Sequence, residues 1–128
     1  MRGLAIGEVG RRAGLATSAI RYYERAGLLP KPARASGQRR YEPEILGLLE
    51  MIRMARAAGF TISETRIFLT GADKPSARWQ ALAQRKRAEI DATIAKARRM
   101  KAALKSNFRC GCAETDDCAR AIARKACG

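Results

Sequence analysis

Apolar residues recur at helical spacing along almost the whole chain. The first group is Ile6, Val9 and Ala13, which share one face of a short helix. Gly14 follows this group, and glycine often adopts the left-handed conformation found just past a helix end. The pattern therefore predicts a first helix over residues 6–14.

A second short helix is expected directly after the first. Thr17 and Ser18 are residue types that cap helix starts, and Gly27 supplies a stop, so this helix is predicted over residues 19–26. Two short helices joined by residues 14–16 indicate a helix-turn-helix, whose second helix usually enters the major groove of DNA. An ordinary helical hairpin would have the same spacing.

The next segment interrupts the helical pattern. Pro30, Pro32 and Gly37 break regular structure and leave an exposed basic loop over residues 31–41. Within this loop, residues 36–41 suit a β-hairpin wing, because Gly37 can provide the positive φ that a tight turn needs.

Helical spacing returns at residue 42. A helix is predicted over residues 42–57, with Gly59 as its stop. Its buried face is expected to consist of Ile45, Leu48, Leu49 and Ile52. Thr61 or Ser63 then caps a further helix, and residues 71–75 form a linker.

A long helix is predicted over residues 76–107, where nothing breaks the pattern. Its apolar seam repeats every seven residues, at Ala83, Ile90, Ala97 and Leu104, and Trp79 widens it. A lone helix cannot bury such a seam, so it needs a partner. The simplest partner is the same helix of a second copy. The alternative is a helix that folds back onto residues 1–70.

These elements define the expected architecture, which is mainly α. Residues 1–75 are predicted to form an N-terminal winged helix-turn-helix domain. Residues 76–107 form the dimerisation helix. Residues 108–128 form a short cysteine-rich loop or helix.

Positive charge is the strongest signal in the composition. The chain holds 26 Lys and Arg against 12 Asp and Glu, which gives a net charge of +14. Such a chain attracts polyanions, and nucleic acid is the usual partner. Single-stranded RNA recognition commonly uses aromatic residues on strands, and the few aromatic residues here are mostly in core-like positions. Duplex DNA is therefore the favoured partner, although a merely basic soluble protein has the same composition.

The chain contains no histidine, and this narrows the chemistry further. No constellation for general-base catalysis is recognisable, so an enzyme is not expected. No apolar stretch reaches the length of a signal core or a membrane span, so we expect a cytoplasmic protein without membrane contact. Thiols stay reduced in that compartment, and the cysteines are then better interpreted as metal or redox ligands than as disulfides.

Four short motifs occur in a specific order between residues 5 and 70. They are Ile6-Gly7-Glu8-Val9, the run from Thr17 to Leu29, Gly37-Gln38-Arg39-Arg40-Tyr41, and Ala57-Ala58-Gly59-Phe60-Thr61-Ile62. As a set they resemble the MerR family of winged-helix transcriptional regulators, and the long helix follows where that family places an antiparallel coiled coil. The resemblance implies a homodimer that binds double-stranded promoter DNA alongside RNA polymerase and distorts that DNA when an effector binds.

The resemblance assigns DNA contacts to the second helix and the wing. Arg21 can donate two hydrogen bonds to guanine or bind a phosphate, and Thr17 or Ser18 can bind a phosphate at the helix start. The wing residues should contact phosphates, which give affinity and register. The full predicted set is Thr17, Ser18, Arg21, Tyr22, Tyr23, Gly37, Gln38, Arg39, Arg40 and Tyr41.

Four cysteines lie within the last nineteen residues. Cys110, Cys112 and Cys118 are predicted to bind a soft metal ion, Cu(I) or Zn(II), because thiolates without histidine suit such ions. Cys118 lies at the start of a helix predicted over residues 118–125, capped by an aspartate, and this position should lower its pKa. Cys127 is nine residues further on and is not expected to share the ion.

Other functions for these cysteines stay open. The C-terminal part of the chain most resembles the SoxR-like branch of the family, in which four cysteines hold a [2Fe–2S] cluster. Asn107 stands where the first of those cysteines would fall. The spacing between Cys110 and Cys118 resembles the copper-sensing members instead. Reactive thiols without a cluster, or a purely structural role, are the further alternatives.

Overall fold

The computed structural model of the protein describes residues 3–35, 37–105, 108 and 111–126. Within these residues it contains six helices and two strands, which confirms the mainly α fold class. The elements are α1 (Ile6–Ala13), α2 (Thr17–Arg25), β1 (Ala33–Ala35), β2 (Gln38–Arg40), α3 (Ile45–Ala57), α4 (Ile62–Thr70), α5 (Pro75–Lys105) and α6 (Thr115–Ala123).

Residue contacts divide the chain into two units, Met1–Arg87 and Ala88–Gly128. This division falls inside α5. The domain boundaries expected at residues 75 and 107 stay predictions.

Helices α1 and α2 form the predicted helix-turn-helix. Gly14 ends α1 with φ 70°, and the Leu15 N–H donates to Gly10 O at 2.9 Å. A Cβ at Gly10 would lie 2.7 Å from Leu15 O, so this tight turn needs glycine there. The predicted cap is wrong: α2 begins at Thr17 itself, after an extended Ala16, and no side chain caps it.

The hairpin wing is present as predicted. Strands β1 and β2 pair antiparallel, and Gly37 occupies the turn with φ 77°. The chain start continues this pairing, because Leu4 and Tyr41 exchange backbone hydrogen bonds of 2.8 and 2.9 Å. The end of the wing is therefore fixed to the body of the domain.

One core unites the helix-turn-helix, the wing and α3. Its buried residues are Val9, Ile20, Leu28, Leu29, Tyr41, Ile45, Leu49 and Ile52. Helix α3 begins at Ile45, later than the predicted residue 42, because Glu42 O and Pro43 O accept turn hydrogen bonds from the N–H groups of Ile45 and Leu46. Leu48, expected in the buried face, is half-buried against this core.

Thr61 caps α4, as one of the two candidate residues was expected to do. Its hydroxyl accepts from the Glu64 N–H at 3.1 Å, and a carboxylate oxygen of Glu64 accepts from the Thr61 N–H at 2.8 Å. This reciprocal pair is a capping box, which satisfies two amides at the helix start.

The first turns of α5 fold back onto α3 and α4. Trp79 packs against Phe60 and Phe68 at ring-centroid distances of 5.0 and 5.2 Å, and Leu82 is buried in the same cluster. Assigning Trp79 to the coiled-coil stripe was therefore wrong. Heptad spacing marks an apolar face but does not identify what covers it.

The rest of α5 and helix α6 belong to the second unit. Helix α5 has 31 residues, a length of about 45 Å at the usual helical rise. Beyond residue 87 its apolar side chains are exposed, among them Ile90, Ile94, Met100 and Leu104. Across the described parts of the chain, no helix is both long and apolar enough to cross a membrane.

Candidate nucleic-acid interface and thiol pair

Helix α2 presents a polar face to solvent. Ser18 and Arg21 are exposed, and Thr17 is half-buried at the helix start. Tyr22 and Tyr23 lie in different environments. Tyr23 packs against the core, whereas Tyr22 is 47% exposed and its ring centroid lies 5.7 Å from that of Tyr23. Burial of Ile20 on the opposite face fixes this orientation, so Arg21 and Tyr22 are free to reach a ligand.

The wing carries a second group of basic side chains. Gly37 and Gln38 are exposed, Arg40 is half-buried, and the side chain of Arg39 lies outside the described residues. Arg34, directly across from Arg39, donates to Gly37 O at 3.2 Å and so braces the turn. The wing is thus a short, supported projection with positive charge.

Tyr41 occupies a different environment from the rest of the predicted DNA-binding set. It is only 2% exposed, and its hydroxyl donates to the carboxylate of Glu24 in α2. This burial argues against the direct phosphate contact that was expected of Tyr41. The hydrogen bond instead joins the base of the wing to α2.

A groove of about 400 Å³ lies between the end of α2 and the start of the wing. It is lined by Glu24, Arg25, Lys31, Pro32 and Arg34. Arg25, Lys31 and Arg34 were missing from the predicted DNA-binding set. Their signal in the sequence was the basic composition of residues 31–41, which did not indicate which side chains face α2.

Helix α4 supports the end of α2. The Arg66 guanidinium donates to Ala26 O, just past the α2 terminus. The chain turns there through Gly27, whose φ is 79°. A cation at a helix C-terminus is favourable because the last carbonyls carry partial negative charge.

Two of the predicted metal ligands lie next to each other. Cys112 is half-buried and Cys118 is buried, and both are free thiols. Burial raises the pKa of Cys118, and a hydrogen bond with Cys112 and the charges of Cys112 and Asp117 raise it further.

The lowered pKa expected for Cys118 is therefore wrong in direction. Helix α6 begins at Thr115, so Cys118 is already one turn inside, and its N–H donates to Glu114 O at 3.2 Å. Asp116 and Asp117 lie in the first turn and do not cap the helix. The N–H of Cys118 is thus already used within the helix, and the charge of Asp117 opposes a thiolate.

The remaining predicted positions, Cys110, Asn107 and Cys127, lie outside the described residues. Within the described ranges, no group of three or more His, Cys, Asp or Glu side chains could hold a metal ion. The adjacent thiols of Cys112 and Cys118 fit a soft ion of low coordination number, and the chain has no imidazole to compete with them. A further ligand would have to come from elsewhere.

Comparison with known proteins shows which proteins this chain is similar to. The family model described as "MerR HTH family regulatory protein" matches residues 4–72, and one described as "MerR, DNA binding" matches residues 46–106. An HTH-type transcriptional activator SoxR homolog of Chromobacterium violaceum is 31% identical over 121 residues, which cover 90% of this chain and 80% of the relative. The HTH-type transcriptional regulator HmrR of Rhizobium leguminosarum bv. viciae is 36% identical over 92 residues, covering 70% and 71% of the two chains.

A solved structure gives the same result. The transcription regulator PbrR691 from Ralstonia metallidurans CH34, crystallised in complex with lead(II), superposes with a TM-score of 0.74 at 33% identity. The match covers 88% of this chain and 91% of that one. With the helix-turn-helix, the wing and the long helix all matched, the chain belongs to the MerR family of DNA-binding transcriptional regulators.

Proposed function

We propose that this regulator responds to a soft metal ion through thiolates of its C-terminal segment, with Cu(I) or Zn(II) as the ion. The observation that carries the proposal is the adjacency of the free thiols of Cys112 and Cys118. Cys110 is two residues from Cys112 in the sequence and is the proposed third ligand. The relationship to PbrR691, which was crystallised with lead(II), supports a soft ion.

The thiols are suited to an ion that exchanges for protons. The raised pKa of Cys118 means that its thiol is protonated at neutral pH, and a soft cation displaces that proton when it binds. Burial around Cys118 limits access of water and hard ligands to the sulfur atom. Ion binding would tie Cys112, which precedes α6, to Cys118 inside that helix.

On the DNA side, we propose that α2 contacts base edges and that the wing and the α2–wing groove contact phosphates. The exposed Arg21 is the proposed base-reading residue, with Ser18 and Tyr22 beside it. Arg25, Lys31 and Arg34 in the groove add positive charge between the helix and the wing. Tyr41 acts indirectly, by holding the wing against α2 through Glu24.

We propose that the chain acts as a homodimer joined by antiparallel α5 helices. The exposed apolar side chains of α5 support this, since Ile90 is 45% and Leu104 is 86% exposed in the single chain. A dimer presents two α2 helices to an inverted repeat. Effector binding would then change how the dimer bends promoter DNA for RNA polymerase, at a cost of about 1–6 kcal/mol for such a bend.

Ion binding can be tested directly on anaerobically purified protein. We expect elemental analysis to find Cu or Zn bound to wild-type protein, with the content falling sharply in the Cys112→Ser and Cys118→Ser variants. Cys127→Ser is the matched control and should retain the ion.

A visible spectrum distinguishes a soft-ion site from the main alternative, a [2Fe–2S] cluster. Iron and labile sulfide together with visible absorption would replace the proposal with a [2Fe–2S] sensor. Wild-type protein that binds no soft ion would refute the metal response.

A further inference from the structure

The side chain of Arg78 donates hydrogen bonds to three backbone carbonyl groups between the end of α4 and the start of α5. The Arg78 guanidinium donates to Phe68 O at 2.7 Å, to Gly71 O at 2.8 Å and also to Asp73 O. Phe68 lies in the last turn of α4, where helix carbonyls lack partners within the helix. Arg78 therefore fixes the stretch from residue 68 to residue 78, which we call the α4–α5 junction.

Gly71 makes room for this arginine. Its φ of −70° and ψ of 166° are accessible to any residue, so the backbone does not require glycine. A Cβ at this position would overlap Arg78 Cδ and would lie 3.1 Å from Ile67 O. The position of Arg78 thus depends both on the absence of a side chain at Gly71 and on its three hydrogen bonds to carbonyl groups.

Other contacts hold α5 on this unit without Arg78. Trp79 and Leu82 pack with Phe60 and Phe68. Lys86 forms an ion pair of 2.8 Å with Glu64, whose side chain is only 18% exposed. Loss of Arg78 should thus loosen the junction without detaching the helix.

Helix α4 connects this junction to the DNA-binding surface. At one end of the connection, Arg66 donates to Ala26 O, just past the end of α2. At the other end, Arg78 joins α5 to the last turn of α4. The direction in which α5 starts is therefore coupled to the position of α2 through α4, in addition to the packing of α5 on α3.

We infer that Arg78 is a positioning residue that sets the separation of operator half-sites. This inference rests on the proposed dimer, in which two α2 helices must reach two half-sites at a fixed distance. A rigid junction fixes the distance between the two α2 helices of the dimer. A looser junction lets that distance vary, so the dimer accepts operators in which the spacer between the half-sites is longer or shorter.

The test uses full-length variants and an operator selected from random duplexes. Arg78→Met keeps the side-chain length and removes the donors. Gly71→Ala displaces Arg78 at a φ and ψ that alanine adopts readily, with a shift of a few tenths of an ångström between its Cβ and Ile67 O. Arg85→Met, at an exposed position of α5, is the matched control. Binding is measured to the operator, to versions with one base pair added or removed at the centre, and to an isolated half-site.

We expect wild-type protein and Arg85→Met to bind the altered operators at least about tenfold more weakly than the selected one. Arg78→Met and Gly71→Ala should lose most of this discrimination while half-site binding stays unchanged. A merely structural role for Arg78 would weaken binding to every duplex alike, and that result would overturn the inference. So would full discrimination in both variants. Sedimentation separates the two proposals, because monomeric wild-type protein would refute the dimer itself.

Discussion

Among the single residues, basic side chains of the same type lie in very different environments, which the sequence does not distinguish. Arg21 is exposed on α2 and available to a ligand. Arg66 and Arg78 instead donate hydrogen bonds to backbone carbonyl groups of neighbouring elements. A net charge of +14 therefore overstates the number of side chains that can contact DNA.

Arg21 and Arg40 should have separable effects on DNA binding. Arg21→Ala should weaken operator binding by about 1–3 kcal/mol and relax sequence choice, because the proposed bidentate base contact is lost. Arg40→Ala should weaken binding to all duplexes to a similar extent, because it removes the proposed phosphate contact. Competition assays with specific and random duplexes measure both effects. Equal loss on the two duplexes with Arg21→Ala would contradict its role in base recognition.

Residue environments were also the least predictable part of the site. Residue types and motifs identified α2, the wing and the cysteine segment. They did not show that Tyr41 is buried against Glu24 or that burial raises the pKa of Cys118. Both properties depend on neighbours distant in the chain, which a local pattern does not contain.

At the scale of elements, local chemistry accounts for most helix boundaries. Gly14 and Gly37 lie where the sequence predicts them, and Thr61 is one of the two predicted caps of α4, because each of these features depends on residues within a few positions. The partner of an apolar face is not specified in this way. The start of α5 packs on α3 and α4, and the spacing of its apolar residues did not predict this because the same spacing also suits a coiled coil.

The contact between α4 and α5 predicts a pH dependence of stability. Hydrogen bonds from Lys86 and the Thr61 N–H lower the pKa of Glu64 below its ordinary value of 4.5. The stabilisation is thus fully present above that value and is lost as the pH falls through the lowered pKa. Glu64→Gln, which keeps an acceptor for the capping box, should reduce the free energy of unfolding by about 1 kcal/mol at neutral pH.

Urea unfolding at pH 7 and at successively lower pH values measures this effect, and the difference between the two proteins should shrink as the pH falls below 4.5. Glu50→Gln is the matched control, since it removes an exposed ion pair with Arg53 and should change stability less. A difference between wild type and Glu64→Gln that is unchanged at the lower pH would refute the assignment.

At the scale of the whole molecule, the exposed seam of α5 leads to a prediction about assembly. Ile90→Asp should yield monomers that bind an inverted repeat weakly, because a charge in the seam prevents burial between helices. Ala88→Asp lies on the same helix outside the seven-residue repeat and should remain dimeric. Sedimentation at micromolar concentration measures the change. Wild-type protein that sediments as a monomer would contradict the proposed dimer.

We propose that a soft ion held by Cys112 and Cys118 controls transcription by a DNA-binding dimer. In vitro transcription from the operator promoter, with Cu(I) or Zn(II) added, measures this control. We expect an ion-dependent change in the amount of transcript with wild-type protein and with Cys127→Ser. Cys112→Ser and Cys118→Ser should bind the operator normally and show no response. A wild-type response in both of these variants would contradict the claim.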